Sequence, residues 1–280
     1  MKKFRAIDQI IEPQLVIEGA GVLLRRSIAP RRSNHFDPFL LFDHFAFNDP
    51  NEGPIRGFPT HPHRGIETVT YMLEGSVRHR DSLNNMGVIG AGDVQWMTSG
   101  RGILHEEMPR RSPSGNIYGF QLWVNLPARL KMSEPRYQEV SDSNIPVVEK
   151  DGARIRLVAG TVDGLSGPVT QIAAQPLYMD VELAPDTTWE LPIPTGHTAI
   201  AYVFEGEGVF SGETIKAVKM VKYADGDQVQ VKTENQNVRF MLMAGAPFNE
   251  PIVPYGPFVM NTEEEIHQAL ADLKKGTFIK

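Results

Sequence analysis

A strand-and-turn signature occurs twice in this chain, and a repeat of that kind restricts the fold to two copies of one module. Tyr71-Met72-Leu73-Glu74-Gly75 returns as Tyr202-Val203-Phe204-Glu205-Gly206, 131 residues later. Ala91-Gly92-Asp93-Val94 then returns as Asp225-Gly226-Asp227-Gln228, with the central glycines 134 apart. The modules are β in character. Glycine (25) and proline (21) are scattered and cut the chain into short apolar or alternating runs, such as Thr68-Val69-Thr70-Tyr71-Met72-Leu73 and Phe120-Gln121-Leu122-Trp123-Val124. That is the pattern of a sandwich or barrel. The expected class is all-β, with two tandem modules at residues 1–134 and 147–280 joined through the Pro- and Ser-containing stretch from about Glu134 to Pro146. A single short helix is expected near the C-terminus. Thr262 and Glu265 form a capping-box pair, Ile266, Leu270 and Leu273 share a face, and Lys274, Lys275 and Gly276 suit its end. His267 falls on the polar face.

Composition removes several function classes. Lys and Arg total 28 against 34 Asp and Glu, a net charge of −6. Affinity for nucleic acid comes largely from phosphate neutralisation, so no direct nucleic-acid binding is expected. Cysteine is absent, which excludes disulfide scaffolds, thiol nucleophiles and thiolate metal sites. No run approaches the ~18 apolar residues of a membrane span, and the first residues carry no secretory apolar core. The expectation is a cytoplasmic protein without membrane contact. Neither a dinucleotide-binding glycine loop nor a serine-triad signature is present.

Chemistry concentrates in two motifs. Five of the eight histidines lie between His44 and His105. In His61-Pro62-His63-Arg64-Gly65-Ile66-Glu67 the two histidines are i and i+2, so on a strand they point to one face. In Gly100-Arg101-Gly102-Ile103-Leu104-His105-Glu106-Glu107 the same spacing pairs His105 with Glu107. A lone His-x-His is commonly a surface or core pair. Two such pairs on neighbouring strands deliver three imidazoles and a carboxylate to one point, a set suited to Fe(II), Mn, Co, Ni, Cu or Zn. Four protein ligands leave two octahedral positions for substrate and dioxygen or water. Carrying the repeat offsets forward lands on Pro192, Pro194, Thr198, Arg239 and Met241, which is no ligand set. His197 stands alone and reads as structural or solvated.

The segments His61–Val69 and Gly92–Pro109 resemble the two hallmark segments of the pirin family of bicupins. Pro38–Asp43, Gln121–Pro127 and Gly256–Thr262 are similar to that family as well. The resemblance implies two cupin, jelly-roll-like β-barrels, with a non-haem Fe(II) in the N-terminal one and no metal ligands in the other. The matched ligands are His61, His63, His105 and Glu107. Glu67 occupies the usual cupin glutamate position, four residues past His63 and on the same face of a regular strand, and is assigned a supporting or pocket role. His44 follows Asp43 where a family carboxylate is expected and reads as an exposed loop histidine, the alternative being a role at the pocket mouth. Arg25-Arg26, Arg31-Arg32 and Arg110-Arg111 read as solvated loops, the alternative being a basic rim. Trp96, Trp123 and the cluster Phe36, Phe39, Phe42, Phe45 and Phe47 are candidates for an aromatic pocket, with core as the commoner fate of Phe39 and Phe45.

Some pirins resemble quercetin 2,3-dioxygenase in activity. The implied function is therefore a metal-dependent dioxygenase acting on a flavonol such as quercetin, or a similar enol-bearing aromatic, with dioxygen. Glu107, or Glu67 if it reaches the pocket, then also serves as the catalytic proton acceptor. The alternative is a non-catalytic, iron-containing, redox-responsive regulator or co-regulator of transcription or metabolism, with a protein partner the sequence does not identify. A non-catalytic small-molecule binder ranks third.

Overall fold

The computed structural model describes residues 3–46 and 57–279; Phe47 lies outside the described residues. The chain divides into two compact units that do not follow the linear boundary expected from the sequence. One comprises residues 14–142 with 248–280, the other residues 1–13 with 143–247. Among the described residues, no helix is long and apolar enough to cross a membrane.

The first strand, β1 (Ile7–Ile11), belongs to the second unit, where it pairs with Lys219–Tyr223. The first unit is built from β2 (Gln14–Glu18), β3 (Val22–Ile28), β4 (Phe39–Phe45), β5 (Phe58–His63), β6 (Ile66–Glu74) and β7 (Ser76–Asp81). It continues with β8 (Met86–Ile89), β9 (Val94–Thr98), β10 (Ile103–Arg110), β11 (Tyr118–Asn125) and β12 (Arg136–Val140). Seven of these form one sheet in the order β12-β9-β6-β11-β4-β3-β2, and four form a second, β5-β10-β7-β8. The stretch read as a linker therefore contains β12, which pairs along its length with β9.

The second unit repeats this plan strand for strand. Its path runs β1, then Lys219–Tyr223, Thr198–Phe210, Val238–Gly245, Leu177–Leu183, Ala153–Ala159 and Val147–Lys150. Thr188–Pro192, Gln228–Lys232, the end of Thr198–Phe210 and Glu213–Lys216 correspond to β5-β10-β7-β8. The sequence repeat marks the same point in both units, where the chain passes from the larger sheet to the smaller. Gly75 and Gly206 each adopt positive φ there (78° and 70°), and a Cβ at either would collide with a carbonyl of a neighbouring segment, Arg110 O or Asn237 O. The two copies are cupin barrels.

The central strands β4, β6 and β9 of the larger sheet of the first unit bury both faces. Alternation sends Leu41, Asp43 and Phe45 of β4 one way and Phe42 and His44 the other. His44 is thus a buried strand residue rather than a loop residue; its ring packs 5.0 Å from those of Tyr118 and Phe120, and burial depresses its pKa to about 3. The helix α1 (Glu263–Lys275) forms with the expected capping box and a left-handed Gly276. Ile266 and Ala269 bury into an apolar cluster with Phe258, Met260 and Phe278, and Leu270 and Leu273 pack against it. His267 is exposed.

Candidate metal centre

Strands β5 and β10 pair antiparallel, with His105 opposite His61 and Ile103 opposite His63. Alternation along each strand turns all three histidines inward, as the i, i+2 spacing predicts. Their ligating nitrogens lie within 4.8 Å of one another. The Nε2 of His61 is 3.0 Å from that of His63 and 3.0 Å from that of His105. The opposite ring nitrogens of two of them are held by backbone: Nδ1 of His61 is 2.9 Å from Pro59 O, and Nδ1 of His63 is 3.3 Å from Pro257 O. With the proton at Nδ1 donated to a carbonyl, the Nε2 lone pairs face each other across a gap.

This set fits a metal ion. An ion with metal–nitrogen bonds of about 2.1 Å sets adjacent octahedral nitrogens about 3.0 Å apart. Burial holds His63 down at about 3 and His105 well below the ordinary imidazole value, so both rings are neutral and their lone pairs available at pH 7. Carbonyls behind the rings are the usual arrangement around metal-bound histidine.

Glu107 shares the inward face of β10 with His105, and Glu106 points outward toward Arg78 at 4.0 Å. The Glu107 carboxylate is not one of the three clustered donors. Its Oε1 instead accepts a hydrogen bond from Thr70 Oγ1 at 3.2 Å. Burial raises its pKa, opposed by nearby His61, the Thr70 hydroxyl and His79. It lines the same cavity as His61 and His63, a cleft of about 540 Å³ whose apolar walls include Leu24, Leu41, Phe45, Phe58 and Trp123. The Trp123 ring meets His63 edge-on at 5.2 Å.

Glu67 is elsewhere. Gly65, at φ 80°, turns the chain out of the β5 sheet into the β6 sheet, which breaks the parity assumed from His63. Thr70 faces Glu107, so Glu67, three residues earlier, faces the other way and accepts from Thr98 Oγ1 at 2.7 Å. Trp96, also on that face, is buried away from the cavity, as is Phe42. Of the aromatic candidates, Trp123 and Phe45 line the pocket. Arg26 is not on a solvated loop either. It sits on β3 with Nε and Nη2 on the two Asp43 oxygens (2.8 and 2.7 Å) and Nη1 on Glu18 (2.6 Å), and all three residues line the cavity.

A clamp that the motifs do not reveal holds the histidine loop against the last thirty-odd residues of the same unit. Arg64, next to His63, donates to Asp272 Oδ2 at 2.8 Å and to Arg101 O at 2.5 Å, and its guanidinium lies 4.3 Å from the Phe278 ring centre. The Lys131 ammonium spends its three donors on Gly65 O, Asn125 Oδ1 and Val259 O. Gly65 is needed here because a Cβ would run into Val259 O. The signal available for Asp272 was an acid in the last turn of a helix, where the dipole disfavours it.

The corresponding positions of the second unit follow from strand register. Counting from the shared Gly75/Gly206 turn, His79 matches Phe210, and their partners match Glu107 to Val231. His105 then matches Val229, which pairs with Leu191 as His105 pairs with His61, and His63 matches Ile193. The fixed offset of 134 had pointed instead to Arg239 and Met241, which lie on the counterpart of β11. All four matched side chains are alkyl and belong to one apolar core.

Two family models match the chain. Residues 21–124 match the pirin model, and residues 178–279 match the pirin C-terminal cupin domain. The chain belongs to the pirin family. A pirin-like protein of Caulobacter vibrioides is 44% identical, over 98% of this chain and 99% of that one. A Pseudomonas aeruginosa protein provisionally named a quercetin 2,3-dioxygenase is 40% identical over 99% of both chains. The crystal structure of a quercetin 2,3-dioxygenase from Acinetobacter baumannii matches with a TM-score of 0.88 and 33% identity, covering 98% of each chain. A metal centre at the histidine cluster is in keeping with membership of this family.

Proposed function

We propose that the first barrel is a metal-dependent dioxygenase centre, with Fe(II) as its ion and a flavonol such as quercetin, or a similar enol-bearing aromatic, as its substrate. His61, His63 and His105 would hold the ion, with Glu107 as the fourth donor and the proton acceptor. The observation that carries the reading is the set of three converging imidazole lone pairs at the wall of an aromatic-lined cavity of about 540 Å³. The quercetin dioxygenase names of relatives at 40% and 33% identity support the substrate class.

When bound, the ion supplies Lewis acidity toward a substrate hydroxyl and redox access to dioxygen. The chain supplies the rest. Pro59 O and Pro257 O fix the His61 and His63 rings. Glu107, buried and steered by Thr70, accepts the enol proton at a carboxylate oxygen. Trp123, Phe45 and Phe58 exclude water from the aromatic rings.

The test is reconstitution with Fe(II), Mn, Co, Ni or Cu under anaerobic conditions, followed by quercetin addition at an oxygen electrode. Metal-dependent uptake with loss of flavonol absorbance, abolished by His63→Ala, is the expected result. Stoichiometric metal without turnover would overturn the flavonol assignment in favour of an iron-containing regulator.

A further inference from the structure

We infer that Gln121, beside the Arg26–Asp43 pair, is the specificity-determining pole of the cavity, and that it selects flat aromatics carrying a hydroxyl at the end remote from the histidines. The inference rests on the flavonol reading above and names what that site distinguishes.

A row of polar side chains crosses the larger sheet of the first unit in register. Arg26 pairs with Asp43, Asp43 with Gln121, Gln121 with Thr70, and Thr70 with Gln95. Asp43, Thr70 and Gln95 are buried and Arg26 and Gln121 half-buried, and withdrawing such groups from water is costly unless they are satisfied or used. Arg26 and Asp43 satisfy each other, Thr70 holds Glu107, and Gln95 donates to Glu139 at 3.0 Å. Gln121 differs from the others. Its amide has no side-chain hydrogen bond among the described residues, and it lines the cavity.

The second unit serves as an internal control for what the fold itself needs. The same row there reads Leu157, Met179, Leu242, Ala201 and Val221, paired in the same succession. All five lie in one apolar core. The barrel therefore forms without any polar group at these places, and the polar row of the first barrel answers to a ligand.

Position and charge define that ligand. Trp123 touches His63, and Gln121 is the next residue on the same face, about 6.6 Å further along the strand. An aromatic system anchored at the histidines runs past Trp123 and brings its far end to Gln121. Glu18 and Asp43 outnumber Arg26 on that wall, so an anionic group is disfavoured. A neutral hydroxyl is favoured, because it can donate to the Gln121 carbonyl and accept from its amide.

Galangin, kaempferol and quercetin share the enol ring and differ in carrying none, one or two hydroxyls on the pendant ring. Their dissociation constants can be read on metal-loaded protein by quenching of tryptophan fluorescence, without turnover. Quercetin is expected to bind about tenfold more tightly than galangin, with kaempferol between them. In Gln121→Leu, the residue type of the second barrel, and in Gln121→Met, that preference should fall to near one. A preference that persists in both variants, or is absent from the wild type, overturns the inference. A preference carried by Gln121 in protein that consumes no oxygen would leave it standing and sink the dioxygenase reading. Absence of binding by all three sinks both.

Discussion

The two barrels have the same strand order and the same central turn, yet their interiors are chemical opposites. Where the first sets His61, His63, His105 and Glu107 into its lumen, the second sets Leu191, Ile193, Val229 and Val231, all in a closed apolar core. The second is what the fold looks like when it is optimised for burial alone. The first gives up part of that core for a cavity walled in part by the Arg26–Asp43 pair, with Lys131 on three acceptors and Arg64 on Asp272 holding its histidine loop. The second has buried polar contacts too, Arg239 on Asp180 and Arg5 on three carbonyls, but none of these residues belongs to its apolar core. Polar interiors of this kind need a complete set of partners, because a half-satisfied one is worse than an apolar core.

That contrast can be broken from either side. The largest effect is expected from making the first barrel resemble the second at the ligands. His63→Ala or His105→Ala should weaken Fe(II) binding more than about a hundredfold, read as metal retained per chain after gel filtration. Asp272→Ala removes one half of a buried ion pair and should cost about 3–5 kcal/mol, measured by urea unfolding. Arg64→Met together with Asp272→Leu should recover most of that loss, since two apolar side chains leave no buried charge behind. Carrying the polar chemistry the other way, Val229→His buries an imidazole among alkyl groups. It should destabilise the second barrel by about 2–3 kcal/mol in the same assay.

Glu67 gives a pH-dependent test. Burial pushes its carboxyl up to about 7 from an ordinary 4.5. The folded chain thus keeps a proton that the unfolded chain releases, and stability falls as pH rises from about 4.5 through about 7. Glu67→Gln should therefore raise stability at pH 8 by up to about 3 kcal/mol, with the gain gone by pH 4, as followed by thermal melts across that range. The smallest effect is expected outside the barrel interiors. Thr262→Ala removes the helix cap and should cost about 1 kcal/mol in urea unfolding.

Much of the site was legible because it is local. A period of two places His61 with His63 and His105 with Glu107 on one face whatever the rest of the chain does, and the Thr262/Glu265 pair marks its helix unaided. What failed depended on geometry between strands. Glu67 was assigned to the wrong face because Gly65 moves the chain between sheets, and parity does not survive such a turn. Arg26 looked like one of several surface arginines until the β3–β4 register set it against Asp43. A constant repeat offset could not follow the shorter path that leads to Gln228–Lys232 in the second copy. The capture of β1 by the second unit and of residues 248–280 by the first involves pairings of very distant residues, for which spacing carries no signal.

The exchanged ends also set an order of events during synthesis. The His63 ring is oriented by Pro257, and the loop bearing it is anchored by Val259, Asp272 and Phe278. A nascent chain that has already emitted both histidine motifs still lacks these supports until residues 257–278 have left the ribosome. The second barrel, by contrast, has every strand it needs, including β1 from the start of the chain, by residue 247. The barrel with the apolar core is thus the first to have all its strands synthesised, and a chain cut short before residue 257 carries all three clustered histidines without the contacts that orient and anchor them.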